Sequence, residues 1–253
     1  MKNKVTKYIQ QPIYFLSLAA SILFIQCGCG DPGLNKEGTK PKGPSLITED
    51  MIKFAEEYKG AYKVDFLVDK LRALKNNPSS VNINEEDANG GKMTALHYAA
   101  ICGNEEIVKA LLDRGAIANK KDSDTGLPLH YAVQGGYFEI TKLLLDKGDA
   151  HDLEVKYVHS RTALTLAAEK GDLRIFTLLM DKGSDLATIN SHGMTPFHVA
   201  AQNGHLELVK YLHAEKKVKV NLLDVNNHTP LYWANLFNNN EVIAYLQSQG
   251  GVA

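Results

Sequence analysis

Three histidines recur in the same local phrase: His97 in "TALHYAA", His130 in "LPLHYAV" and His198 in "TPFHVAA". An imidazole titrates near neutrality, so repeated copies of one could act as general bases or hold a metal ion. Three cysteines are the other reactive candidates. Cys27 and Cys29 sit together in "CGCG", and Cys102 stands alone much farther along. Zinc usually takes four ligands, and "CGC" without a neighbouring histidine supplies too few. Nothing in the sequence around Cys102 favours its thiolate, so it reads as a small, partly buried residue. No Gly-rich phosphate loop, paired-carboxylate motif or nucleophile with a His/Asp partner pattern accompanies these residues.

The elements that must position the histidines explain them better than chemistry does. The phrase opens five successive stretches at Thr94, Leu127, Thr162, Thr195 and Thr229, spaced by 33, 35, 33 and 34 residues. In the first, Ala95, Leu96, Ala99 and Ala100 form one apolar stripe at helical spacing. Ile107, Val108, Leu111 and Leu112 form a second beyond the break at Gly103. Each copy is therefore a pair of short helices, with small alanines for close approach and bulky aliphatics to fill the layer between copies. Residues one period apart have the same local task. At the histidine position two copies carry Thr165 and Tyr232, which hydrogen-bond but would serve zinc poorly. The imidazoles are thus expected to be structural supports, with no metal and no cofactor.

The period near 33 and the degraded "T-P-L-H-x-A" phrase in every copy resemble the ankyrin-repeat family, over roughly Ile47 to the C-terminus. The resemblance implies an all-α solenoid of stacked helix pairs with projecting β-turns. Repeats start near residues 89, 122, 157, 190 and 224, the last a diverged C-terminal cap with Asn235 and "FNNNE". Residues 47–88 form an N-terminal capping unit whose inner stripe is Val64, Leu67, Val68 and Leu71. Glycines Gly115, Gly148 and Gly183 end second helices, and threonines start first helices. Leu127, lacking a hydroxyl, predicts a start weaker by about 1 kcal/mol. "DAHDLEVKYVHSR" exceeds the regular connection, so the third turn is expected to protrude or bulge.

In that family partners meet the turn tips and the concave side of the first helices. Carried over copy by copy, the partner-binding positions are Met93 and Ile101, then Ser123, Asp124 and Gln134, then His159, Arg161, Glu169 and Lys170. They continue with His192, Met194, Gln202 and Asn203, and end with Asn226, His228, Leu236 and Phe237. The surface is mixed, with apolar tips expected at Met93, Met194 and Phe237, and suits a protein partner.

Upstream, "MKNKVTKYIQQPIYFLSLAASILFIQCGCGDPG" carries three lysines and no acid before an apolar run from Ile13 to Ile25. That run is shorter than the roughly 20 residues of a membrane-crossing helix and reads as an export signal over 1–26. Cys27 at its end resembles the lipid-accepting cysteine of bacterial lipoproteins, although Gln26 stands where a small residue is usual. The alternatives are plain cleavage within "CGCG" or an uncleaved anchor. Residues 27–46, rich in glycine, proline and charge, form a flexible tether to the repeat domain over 47–253.

A 253-residue chain with 44% hydrophobic and 23% charged residues has ample material for a core. Its net charge of −1 lacks the basic face that nucleic acid requires, and the "KKVK" run at Lys216 is solvated surface. The reading is a non-enzymatic, monomeric protein-binding scaffold. It is exported to the periplasm or cell envelope, or secreted, and touches membrane only through a lipidated N-terminus. A secreted effector or inhibitor of a host protein is the second reading. An enzyme with ankyrin docking repeats is the third, for which little chain remains.

Overall fold

Small and apolar residues dominate the first helix of each repeat and confine its polar side chains to few positions, so these helices need to be sandwiched between neighbours. In the computed structural model, which describes residues 46–58 and 65–253, that is how they sit. The expected signal, the tether as far as Ser45, Cys27, Cys29 and Val64 lie outside the described residues. All described elements belong to one compact unit beginning at Gly43.

Among the described residues there are twelve α-helices, and no β-strand beyond an isolated antiparallel bridge between Tyr157 and Arg161. The first pair is α1 (Glu49–Glu57) and α2 (Asp65–Asn76). The five repeats follow as α3 (Ala95–Cys102) with α4 (Glu105–Leu112), α5 (Pro128–Gly135) with α6 (Phe138–Lys147), and α7 (Ala163–Lys170) with α8 (Leu173–Asp181). They continue with α9 (Pro196–Gln202) and α10 (Leu206–Lys210), then α11 (Pro230–Leu236) and α12 (Asn240–Ser248). Helix α2 packs on α3, and α3, α5, α7, α9 and α11 then stack in one row. The outer helices line up behind, α4 against α6, α6 against α8, and α10 against α12. Buried apolar residues continue through every layer, from Ile47 and Ile52 to Val242 and Leu246.

The two helix types differ as their sequences require. All eight residues of α3 are buried, whereas α4 buries Ile107, Val108, Ala110, Leu111 and Leu112 and leaves Glu105, Glu106 and Lys109 outside. Between the two helices of each of the five repeats the backbone turns through the left-handed region, at φ of 74° for Gly103 and 71° for Gly171. Glycine enters that region without a Cβ penalty. In the last repeat Asn238 takes this place at φ 58°, the residue type that tolerates it next best.

The longer third connection is absorbed rather than wholly projected. Ala150–Glu154 winds into a 3-10 turn, the Asp149 amide donates to Asp152 Oδ2 at 2.6 Å, and Leu153 is buried against α7.

Candidate partner-binding face

The histidines hold the stack together. The amide of Thr94 donates to His97 Nδ1 at 3.0 Å, and that of Leu127 to His130 Nδ1 at 3.0 Å. An amide can only donate, so Nδ1 is the acceptor and the ring proton sits on Nε2. From there it reaches a carbonyl of the following turn: His130 Nε2 to Val155 O at 3.0 Å, and His198 Nε2 to Leu222 O at 3.0 Å. His97 makes the same link to Gly126 O at 3.3 Å. Each ring pins its own helix start to the turn ahead of it. Burial holds all three imidazoles below the usual histidine range, and His130 is pushed down to about 4. Leu127 therefore keeps its amide satisfied without a hydroxyl; what it lacks is the Oγ1 contact that Thr94 and Thr195 make with Nδ1 at 2.9 and 2.8 Å.

A second framework residue escaped sequence reasoning. Five residues before the helix start, Asp122 and Asp224 close their turns. Asp122 Oδ1 accepts from the amides of Asp124 and Gly126 at 2.8 and 2.7 Å, and Asp224 Oδ1 from those of Asn226 and His228 at 2.8 and 2.9 Å. The other carboxylate oxygen takes the Tyr131 hydroxyl at 2.5 Å or the Trp233 indole N–H at 2.9 Å. Asn190 closes its turn the same way, and Asp87 does so two residues farther upstream. The recurrence of Asp or Asn at one phase of the repeat was the available signal. In the third copy that phase holds Tyr157, whose ring packs on His130 and Tyr131 with centroids 5.5 Å away in each case.

The tips are tied edge to edge. Ser123 N donates to Gly91 O at 2.8 Å, Ser191 N to His159 O at 2.8 Å, and Thr125 Oγ1 to Lys156 O at 2.5 Å. Along this rim Ser123, Asp124, His159, His192 and Asn226 are exposed, and His228 is half-buried, stacked on Tyr232 at 3.9 Å. On the first helices Gln134, Glu169, Lys170 and Gln202 are half-buried, and Asn203, Leu236 and Phe237 are exposed. Arg161 pairs with Glu169 at 3.0 Å.

Two of the expected contact residues are not available. Ile101 is 4% exposed, because α3 is covered by α2 on one side and α5 on the other. Met194 is 2% exposed; its amide and carbonyl both bond to Asn190, at 3.1 Å each, which tucks the side chain under its tip. Met93 is only half-buried. The apolar character of the face lies instead at its C-terminal end, where Leu236 and Phe237 are 40% and 44% exposed.

The model of ankyrin repeats matches residues 61–157 and 164–252. This chain is an ankyrin-repeat protein. Ankyrin repeats are protein-interaction modules, and the relatives agree with that membership. The chain is 31% identical over 139 residues to the ankyrin repeat protein FPV223 of Fowlpox virus (strain NVSL), covering 51% of this chain and 89% of the viral one. It is 29% identical over 194 residues to transient receptor potential cation channel subfamily A member 1 of Drosophila melanogaster, and 37% over 178 residues to diacylglycerol kinase iota of Rattus norvegicus. These matches take in 72% and 70% of the present chain but only 16% and 12% of the channel and the kinase. The likeness to the kinase runs through its repeats. Among the described residues no group of three or more His, Cys, Asp or Glu side chains is placed to hold a metal ion, and no helix is long and apolar enough to cross a membrane.

Proposed function

We propose that this ankyrin-repeat protein is an exported binding scaffold, without catalytic chemistry, that grips a protein partner along its turn tips and concave first helices. One observation carries the reading. The repeated polar groups are spent on the framework, His130 on Leu127 and Val155, Asp122 on Asp124, Gly126 and Tyr131, while Ser123, Asp124, His159, His192 and Asn226 at the tips stay exposed. Leu236 and Phe237 add apolar surface of the kind that anchors protein interfaces. A photo-crosslinking residue at Phe237 should capture a protein in the source cell, and one at Glu106 on the outer helix α4 should not. Equal capture from both positions would defeat the proposal.

The lysine-flanked apolar run from Ile13 to Ile25 supports export, and Cys27 is the proposed lipid acceptor that would hold the monomeric repeat domain at the cell envelope. Labelled palmitate should enter the chain and be lost in a Cys27→Ser, Cys29→Ser variant. Retained label in that variant would exclude both cysteines.

A further inference from the structure

The third repeat departs from its siblings in a way that adds charge to the face. Arg161 stands immediately before the helix start, where the other copies carry Met93, Gly126, Met194 and His228. Its side chain is largely sheltered, 14% exposed, and its guanidinium donates to Val158 O at 3.1 Å and to Glu169 at 3.0 Å. Lys170 follows at the end of α7. It is half-buried and forms no ion pair among the described residues, since Glu169 beside it is committed to Arg161. Burial lowers its pKa, partly countered by Glu169, so the ammonium is short of solvation and of a counter-ion. On the next first helix Gln202 occupies the position of Glu169, each being the seventh residue of its helix, and its Nε2 is buried with no hydrogen-bond partner among the described residues. The tip residues His159 and His192 lie close enough for their charges to be felt in the same cluster.

Building on the partner-binding reading above, we infer that Lys170, Arg161 and the Gln202 amide form a subsite for one carboxylate of an acidic segment in the protein partner, with Leu236 and Phe237 taking an apolar side chain of that segment. The charge count selects the ligand. Two fixed cations against Glu169 leave one positive charge, which matches a single carboxylate. A phosphate near −2 would be under-compensated by that single net charge. The two anchors are two layers apart. At 8–10 Å between packed helices the span is on the order of 20 Å, which an extended chain covers in about six residues. The partner segment should therefore carry Asp or Glu about six positions from a large apolar residue.

Fluorescein-labelled, capped Gly/Ser peptides with Glu and Phe six positions apart, in both orders, test this by anisotropy against the full-length chain. The Glu peptide in one order should bind, and Glu→Gln in that peptide should weaken binding about tenfold, as should Lys170→Glu in the protein. Lys170→Met should lose several-fold, and Glu169→Gln should bind the Glu peptide at least as tightly as the parent. Circular dichroism of each variant confirms the fold. No binding of either Glu peptide, equal binding of Glu and Gln peptides, tighter binding of a phosphoserine peptide, or indifference to Lys170→Glu would each overturn the subsite. If Lys170→Glu leaves capture through position 237 unchanged in the cell, the acidic subsite falls and the partner-binding face stands. If capture through position 237 fails in the parent chain too, the face itself is wrong.

Discussion

Lowering the pH should loosen this solenoid before its carboxylates protonate, and His130 allows the size of the effect to be worked out. Its Nδ1 accepts from Leu127 N and its Nε2–H donates to Val155 O. A second ring proton would have to sit on Nδ1 and face an amide hydrogen, in a site that burial already makes hostile to charge. In the folded chain the ring holds out to about pH 4, against 6.5 for a free imidazole. Above pH 6.5 neither state is protonated and the full stability is present. As the pH falls below 6.5 the unfolded chain binds a proton that the folded chain refuses, so stability is lost, down to the folded value near 4. With 1.36 kcal/mol per unit, this one residue costs about 2 kcal/mol between pH 7 and pH 5 and about 3 kcal/mol by pH 4. His97 and His198, also depressed by burial, push in the same direction.

The perturbation that isolates His130 is His130→Thr, which copies the residue already present at this phase in Thr165. At pH 7 it strands the Leu127 amide and the Val155 carbonyl and should cost about 1–3 kcal/mol for each group left unpaired. At pH 5 the gap between variant and parent should shrink by about 2 kcal/mol, because only the parent pays for keeping its ring neutral. Urea midpoints followed by circular dichroism at pH 7, 6 and 5 measure the gap, and an NMR titration of the His130 ring proton measures its midpoint directly. A variant as acid-sensitive as the parent, or a ring titrating near 6.5, would refute the tautomer and the bridging role together.

Three shorter expectations rest on other contacts. Gly103→Ala should lower the melting temperature well beyond Gly115→Ala: both positions have positive φ, worth about 1–2 kcal/mol of strain, but a Cβ at 103 runs into the Tyr137 ring while one at 115 meets nothing within 4 Å. Equal losses would show that Tyr137 yields freely. Asp224→Ala strands the amides of Asn226 and His228 and the indole of Trp233, the only tryptophan of the chain. It should cost at least 3 kcal/mol and shift Trp233 emission, and an unchanged spectrum would mean that the indole bond is not formed in solution. Cys102, 1% exposed with burial raising its thiol to about 12, should react with a thiol reagent only after denaturation; rapid labelling of the native chain would contradict its burial.

Most of the fold was legible because a repeat displays its constraints several times over. The stripes of Ala95, Leu96, Ala99 and Ala100 and of Ile107, Val108, Leu111 and Leu112 are all buried, although α3 buries its other four residues as well and α4 also buries Ala110. The face was legible only in part. Exposure at a given phase depends on what the neighbouring layer lays over it, and a residue's own phase does not carry that information. Ile101 disappears between α2 and α5, and Met194 under a turn closed by Asn190. The aspartates were missed for a related reason. A polar residue in a turn looks like solvated surface until the turn closes and its carboxylate is found collecting two amides and a ring donor, as Asp122 does.

The third repeat shows how specificity is written onto such a scaffold. It alone lacks both the bridging histidine and the turn-closing Asp or Asn. Thr165 Oγ1 turns back to Thr162 O at 2.9 Å, and Tyr157 closes its turn through paired backbone bonds with Arg161 at 2.9 and 3.2 Å. Stability comes from another source there. Leu153 of the extra 3-10 turn is buried against α7, and the Tyr157 ring packs onto the second repeat. With the turn held by packing, the residue before the helix start no longer has to tuck beneath the tip as Met194 does. It can be an arginine, paired to Glu169 and leaving Lys170 without an ion-pair partner among the described residues. A solenoid tolerates this because each layer leans only on its neighbours, so a local exchange of framework bonds for charge does not propagate.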